Sequence, residues 1–317
     1  MVQRLKRVDA KTRSVHGVSI STRPGRWRKV HGLTPYLFLL PFFLIYGVFL
    51  LYPVLSGLKL SLYHAAGFNA PTFVGLQNYT NLLQDPRFLH ALRNTTAYTV
   101  AIVGVLCPLS LMVAVIVRSF VVPWGALKTF YRIVFFLPYI TAFSIVALIF
   151  SLVFNTDYGL LNSFLSSIGL PTFNWLRSDT LALPVIILIG FWTYLGIYSL
   201  YFLAGLQSIP AELNEAASVD GANQWQTFLH ITLPQLRPMM IFVVVQATIY
   251  SYQTFEVPYI LLNGGPSDST LTLAVYLYQV GFTNYDSGYA AAIGYVMVII
   301  AMAIALIQLL LYRRLNR

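Results

Sequence analysis

The hydrophobic positions of this chain cluster into six long runs, over 35–60, 95–117, 131–154, 181–203, 239–262 and 289–312. Crossing the hydrocarbon core of a bilayer takes about 20 mostly apolar residues as a helix. Each run meets that length. Each must also be helical, because lipid offers no partner to a bare backbone N–H or C=O. Pro41, Pro53, Pro108, Pro138, Pro184 and Pro258 fall within or near the runs, where neighbouring helices tolerate the kinks they cause. The pattern predicts an all-α membrane protein with about six transmembrane helices.

The polar connections alternate in character. The stretch 118–128 carries Lys or Arg at both ends and no acid, and the chain closes on Arg313, Arg314 and Arg317. Such basic pieces belong on the cytoplasmic side. The stretches 63–93, 155–180 and 263–288 hold Asp85, Asp157, Asp179, Asp268 and Asp286, and are expected outside. Six crossings then place both termini in the cytoplasm, together with the connection 207–238. The expected organisation is a basic cytoplasmic tail over 1–33 and one transmembrane domain over 34–317.

Composition agrees. Of 317 residues, 57% are hydrophobic and 9% charged, against about 25% charged in a soluble domain. Nine Lys and Arg precede residue 30, opposed only by Asp9. That tail reads as an orienting signal for the first helix. A nucleic-acid arm is the weaker alternative, because no basic domain follows it. A signal peptide is poorly supported too, since the basic stretch is too long and no small-residue cleavage site follows the first apolar run. Cys107 is the lone cysteine and His16, His31, His64, His90 and His230 are scattered, so no metal-ligand spacing arises.

The connection 207–238 is too apolar to be left in water. Ser208 is an expected N-cap, with Pro210 in the first turn of a short helix carrying Glu212 and Glu215 near its start. Gly221 is placed to take the left-handed conformation that ends it. A second helix is expected from Ala222 to Ile231, closed by Pro234. Leu213, Ala216, Ala217, Val219, Trp225, Phe228 and Leu229 give the pair an apolar side. It either lies on its own helices and the membrane surface, or docks into a partner.

Here a family resemblance enters. Glu215-Ala216-Ala217, Asp220-Gly221-Ala222 and Ile231-Thr232-Leu233-Pro234 resemble the EAA loop of bacterial ABC importer permeases. Gly75-Leu76-Gln77-Asn78-Tyr79, with Phe88, Ala91, Leu92, Asn94 and Thr95, resembles the segment before the second helix of sugar permeases. Asn263-Gly264-Gly265-Pro266 resembles the turn after their fifth helix. The likeness runs from about Leu33 onward and is strongest to maltose-permease-like subunits. It implies the type I importer permease fold in the bacterial cytoplasmic (inner) membrane. It also implies a second homologous permease, a cytoplasmic ABC ATPase dimer and an extracytoplasmic solute-binding protein as partners. Glu215, Ala216, Ala217, Asp220, Gly221, Leu233 and Pro234 become the ATPase-coupling residues. Glu215 is then expected to pair with a basic group of the ATPase, and both alanines to pack in its groove. ATP and magnesium would sit on that ATPase, since this chain has no Gly-x-x-x-x-Gly-Lys-Ser/Thr loop. The chain itself is expected to bind no cofactor or metal and to be no enzyme.

Ion-coupled carriers place ionisable groups mid-membrane. Glu256, near the outer end of the fifth run, is the main acid found in these runs. That argues against a secondary carrier and for a neutral solute. Gln246, Tyr250, Gln253 and Thr254 share a helical face, with Ser251 alongside. The fourth run adds Trp192, Tyr194 and Tyr198. Amides, hydroxyls and rings can bond to and stack on a sugar, and the resembling permeases line their cavity from these two helices. The same groups could instead be polar glue between helices. Ala247 and Ile197 stand where polar or aromatic groups are expected, which leaves the identity of the sugar open. Arg and Lys, the usual phosphate partners, are absent deep in these helices, although a partner subunit could supply one for a solute such as glycerol phosphate.

Overall fold

The structure is a computed structural model and describes residues 34–67, 69–119 and 125–315. The expected 1–33 tail, residues 120–124 of the 118–128 connection and Arg317 lie outside those residues. The chain divides into two compact units, Met1–Pro53 and Val54–Arg317. The described part of the first unit is helical, with the sequence Thr-Pro-Tyr-Leu-Phe-Leu-Leu-Pro-Phe-Phe-Leu-Ile-Tyr over Thr34–Tyr46. Apolar side chains surround this helix on every side, as suits a helix in lipid.

The elements in order are α1 (Tyr36–Leu60), β1 (Tyr63–His64), β2 (Thr72–Phe73), α2 (Gln77–Leu82), α3 (Pro86–Arg118), α4 (Gly125–Ile140), α5 (Phe143–Val153), α6 (Leu160–Ser167) and α7 (Ala182–Gln207). There follow α8 (Ala211–Val219), α9 (Gln224–Thr227), α10 (Leu233–Tyr252), α11 (Glu256–Leu262), α12 (Leu273–Tyr278) and α13 (Ser287–Leu315). Among the described residues, five stretches are long and apolar enough to cross a membrane, and a sixth crossing is made if α4 and α5 count as one broken span. The six expected runs are all present as helix. Among the described residues the strand pairing is a short β1–β2 hairpin, Tyr63 with Phe73 and His64 with Thr72, and an isolated bridge between Ala66 and Asp286.

Three runs differ from their expected form. The second begins at Pro86 rather than at residue 95, because Asp85 caps it: its carboxylate accepts from the N–H of Arg87 at 2.9 Å and of Phe88 at 3.4 Å. The third is not one straight helix, since α4 and α5 meet at 102°. The fifth starts earlier, at Leu233, and breaks after Tyr252. Pro258 explains that break. It has no N–H for the carbonyl of Thr254, and its ring crowds that carbonyl. The hydroxyl of Thr272 donates to the freed oxygen at 2.9 Å instead.

The core has two main layers. Tyr98, Ile102 and Leu106 of α3 pack with Ile186, Phe202 and Leu206 of α7 and with Leu236 and Val243 of α10. Buried hydroxyls in these helices bond back to their own turns: Thr99 to Thr95 O (2.8 Å), Thr193 to Ile189 O (2.9 Å), Thr248 to Val244 O (2.8 Å). The other layer joins Phe88 and Ala91 to Leu271, Leu273, Val275 and Ile293. The stretch 263–288, expected as an outer connection, is therefore largely folded into the core. Polar clasps hold it there. Arg87 makes a bidentate pair with Asp268, both contacts 2.9 Å, and Asn94 donates to the carbonyls of Asp268 (2.9 Å) and Leu271 (3.0 Å). The hydroxyls of Tyr276 and Tyr289 both donate to Asp85. Burial works against the charge on Asp85, but the bonds from Tyr276, Tyr289 and the two N–H groups outweigh it and hold the carboxyl below the ordinary aspartate range. Asn78, buried, donates to the carbonyls of Ser61 (2.8 Å) and Tyr63 (3.0 Å) and so pins α2 beneath the hairpin.

Candidate solute path and coupling finger

Breaks in two spans open one cavity. Its volume is about 390 Å³, and it is lined by Tyr139 and Phe143 at the α4–α5 bend, by Tyr194, Ile197, Tyr198 and Tyr201 of α7, and by Gln246, Tyr250, Gln253, Thr254 and Glu256 around the α10–α11 break. A helical residue normally gives its carbonyl to the next turn. Where the helix unwinds, Gln253 and Thr254 line the cavity, and such irregular backbone is tolerated at membrane depth only beside protein or water. The rings form a chain: Tyr139 and Phe143 each lie 6.2 Å from Tyr194, which stacks on Tyr198 at 6.0 Å, and Tyr198 reaches Tyr201 at 6.5 Å. Aromatic faces, two amides and several hydroxyls thus converge on one space, with a single carboxylate among the described lining residues.

Six of the eight residues read from the sequence as a solute path meet here: Tyr194, Tyr198, Gln246, Tyr250, Gln253 and Thr254. Two do not. Trp192 packs edge-on against Phe150 at 5.3 Å and faces away from the cavity lining. Ser251 is buried and donates to Thr99 Oγ1 at 2.9 Å, so it ties α10 to α3. Each shares a helix with the path, but about 100° per residue turns a neighbour onto another face. Ala247 is likewise core, fully buried. Tyr139, Phe143, Tyr201 and Ile197 are additional lining residues. Tyr201 continues the Tyr194–Tyr198 spacing by one further turn and was within reach of the pattern. Tyr139 and Phe143 became visible only with the bend.

The connection 207–238 is a finger of two short helices. Pro210, rather than Ser208, is the N-cap of α8, with extended backbone at φ −55°, ψ 135°. The Ser208 hydroxyl instead donates to Gly205 O at 2.8 Å, closing the C-terminus of α7. Gly221 adopts φ +80°, and the N–H of Ala222 returns to Ala217 O at 2.9 Å to close α8. Asn223 and Gln226 form a reciprocal capping box that starts α9. Pro234 does not close this second helix. It lies in the first turn of α10, where a missing N–H does no harm, and a π-helical turn over Phe228–Thr232 carries α9 into it. Leu233 and Pro234 are half-buried there, while Glu215, Ala216 and Asp220 are exposed. Ala217 is buried against its own chain. Of the two alanines only Ala216 is offered outward, because adjacent helical residues point different ways. Val219 is 88% exposed and Trp225 67%, the latter stacked on Phe228 at 5.9 Å. The fingertip therefore presents uncovered apolar groups.

Residues 106–317 match the family described as binding-protein-dependent transport system inner membrane component. This chain belongs to that family. The permease is 38% identical over 304 residues to the arabinooligosaccharides transport system permease protein AraP of Bacillus subtilis, covering 94% of this chain and 96% of that one. It is 32% identical over 286 residues to the lactose transport system permease protein LacF of Rhizobium radiobacter, covering 89% and 94%. Among solved structures it superposes on a bacterial ABC transporter involved in import of the acidic polysaccharide alginate, with TM-score 0.78, 25% identity and 89% and 96% coverage. The permease is thus a multi-pass inner-membrane transport component rather than an enzyme.

Proposed function

We propose that the permease carries a mono- or oligosaccharide through the cavity between α4–α5, α7 and α10–α11, driven by a separate ATPase that grips the 207–238 finger. The single observation behind the sugar is the cavity itself, with six aromatic rings beside Gln246, Gln253 and Thr254 and, among the described residues, no Lys or Arg. Rings stack on sugar faces while amides and hydroxyls bond to sugar hydroxyls. Relatives named for arabinooligosaccharides and lactose support the same class. A phosphorylated solute such as glycerol phosphate fits less well, because no described residue of this lining is a Lys or Arg to pair with phosphate. A secondary carrier fits least, since the described residues of the path offer one carboxylate and no relay.

The exposed Glu215, Ala216 and fingertip support docking to the ATPase, where ATP and magnesium would bind. A second permease would complete the path, and a solute-binding protein would deliver to its outer mouth. The test is uptake into proteoliposomes by the complete importer, with arabinotriose, lactose and glycerol 3-phosphate as probes. ATP-dependent uptake of a neutral sugar is expected, and Tyr198→Ala and Gln246→Ala should each lower it about tenfold or more without loss of assembly, as truncation of a buried binding contact does. Uptake of glycerol 3-phosphate alone, or sugar uptake indifferent to both substitutions, would refute this reading.

A further inference from the structure

We propose that Glu256 sets the charge class of the solute, so that this path accepts neutral saccharides and rejects uronate-bearing ones. The inference rests on the sugar reading above and adds a residue that chooses among sugars. Fold does not make that choice: a permease similar to this one is named for lactose, whereas a transporter of the same fold imports acidic alginate. The difference has to lie in side chains along the path.

Glu256 is the first residue of α11, directly after the unwound stretch, and its side chain lines the cavity. It is exposed to that space. Among the described residues it has no ion pair or hydrogen bond, since the ion pairs present join Arg87 to Asp268 and Arg177 to Asp157. Among the described residues, no Lys, Arg or His lines the cavity to offset it. Its charge is therefore uncompensated where a solute enters from the outer end of the span. A neutral sugar can give hydroxyl hydrogens to this carboxylate, a charge-assisted bond. A uronate carboxylate about 6 to 8 Å away would be repelled, and at an effective dielectric near 20 this amounts to roughly 30- to 100-fold in affinity before salt screening. About 10-fold is expected to survive at physiological ionic strength.

The test uses the complete importer in nanodiscs without added binding protein, so that only the membrane path selects. Binding of arabinotriose and of trigalacturonate is measured by isothermal titration at low and high salt. Wild type should bind arabinotriose at least tenfold more tightly, with a margin that shrinks in high salt. Glu256→Gln, which keeps the shape and removes the charge, should bring the ratio close to one. Glu256→Arg should invert it. A ratio unchanged by both substitutions, with arabinotriose still bound, would overturn the role of Glu256 and leave the sugar reading standing. An assembled wild type that binds neither saccharide would instead defeat the sugar reading, and this inference with it.

Discussion

Reversing one charge on the finger, Glu215→Arg, is expected to abolish solute-stimulated ATP hydrolysis while leaving the permease folded and in the membrane. Glu215 lies on the exposed side of α8, and among the described residues it makes no hydrogen bond or ion pair. Substitutions at such sites change stability by about 0.5 kcal/mol or less. On the proposed docking, its value comes from outside the chain, from a basic group on the ATPase. Breaking a desolvated charge pair across an interface costs about 2 to 5 kcal/mol, and a like charge in its place costs more. The coupled rate should fall by roughly 30-fold to more than 1,000-fold. Purified complex, assayed with and without saturating solute and binding protein, gives the answer. Normal stimulation in the variant would remove Glu215 from the coupling contact.

The second large effect is expected inside the membrane. Adding a methyl group at Gly196 of α7 would drive it into the backbone carbonyl of Phe135 on α4. A side chain could rotate away, but a helical backbone cannot. Overpacking of this kind costs about 1 to 3 kcal/mol, and α4 can relieve it only by moving off α7. Tyr139, one turn along α4, would move with it and open the ring chain to Tyr194. Gly196→Ala should lower the unfolding midpoint in detergent by roughly 3 to 10 °C and reduce uptake together with it. Gly104→Ala is the matched control, because nothing lies within 4 Å of the added atom there. Equal midpoints for the two variants would show that α4 and α7 do not meet at Gly196.

These two sites differ in how far they could be read from sequence. The finger was legible, because Glu215-Ala216-Ala217 and Gly221 carry a spacing that serves one local geometry. Its caps were less so: Ser208 and Pro210 both suit a helix start, and the choice fell to Pro210 once Ser208 bonded back to Gly205. The spans were legible because lipid imposes both length and helix on any crossing segment. The α10–α11 break was half legible. Pro258 marks it, but the hydroxyl that completes it belongs to Thr272, 18 residues away from Thr254. The inward folding of 263–288 was hidden for the same reason: Asp268 reads as a solvated outer acid until Arg87, 181 positions distant, is set beside it. The bend between α4 and α5, and with it Tyr139 and Phe143, had no local signature beyond Pro138. Periodicity placed Gln246, Tyr250 and Gln253 on one face correctly, yet it could not exclude Ser251, whose partner Thr99 lies on another helix.

Whether the fingertip is held by an ATPase can be measured directly. Cys107 is the single cysteine of the chain and is buried, so one introduced thiol reports alone. Val219→Cys, at a position 88% exposed on the tip, should cross-link to the ATPase subunit through a short bifunctional maleimide in the assembled importer, with a yield that changes when ATP binds. It should stay unlabelled by a membrane-impermeant maleimide added outside intact cells. A thiol labelled from outside, or one that never joins the ATPase in an importer active in uptake, would contradict the account.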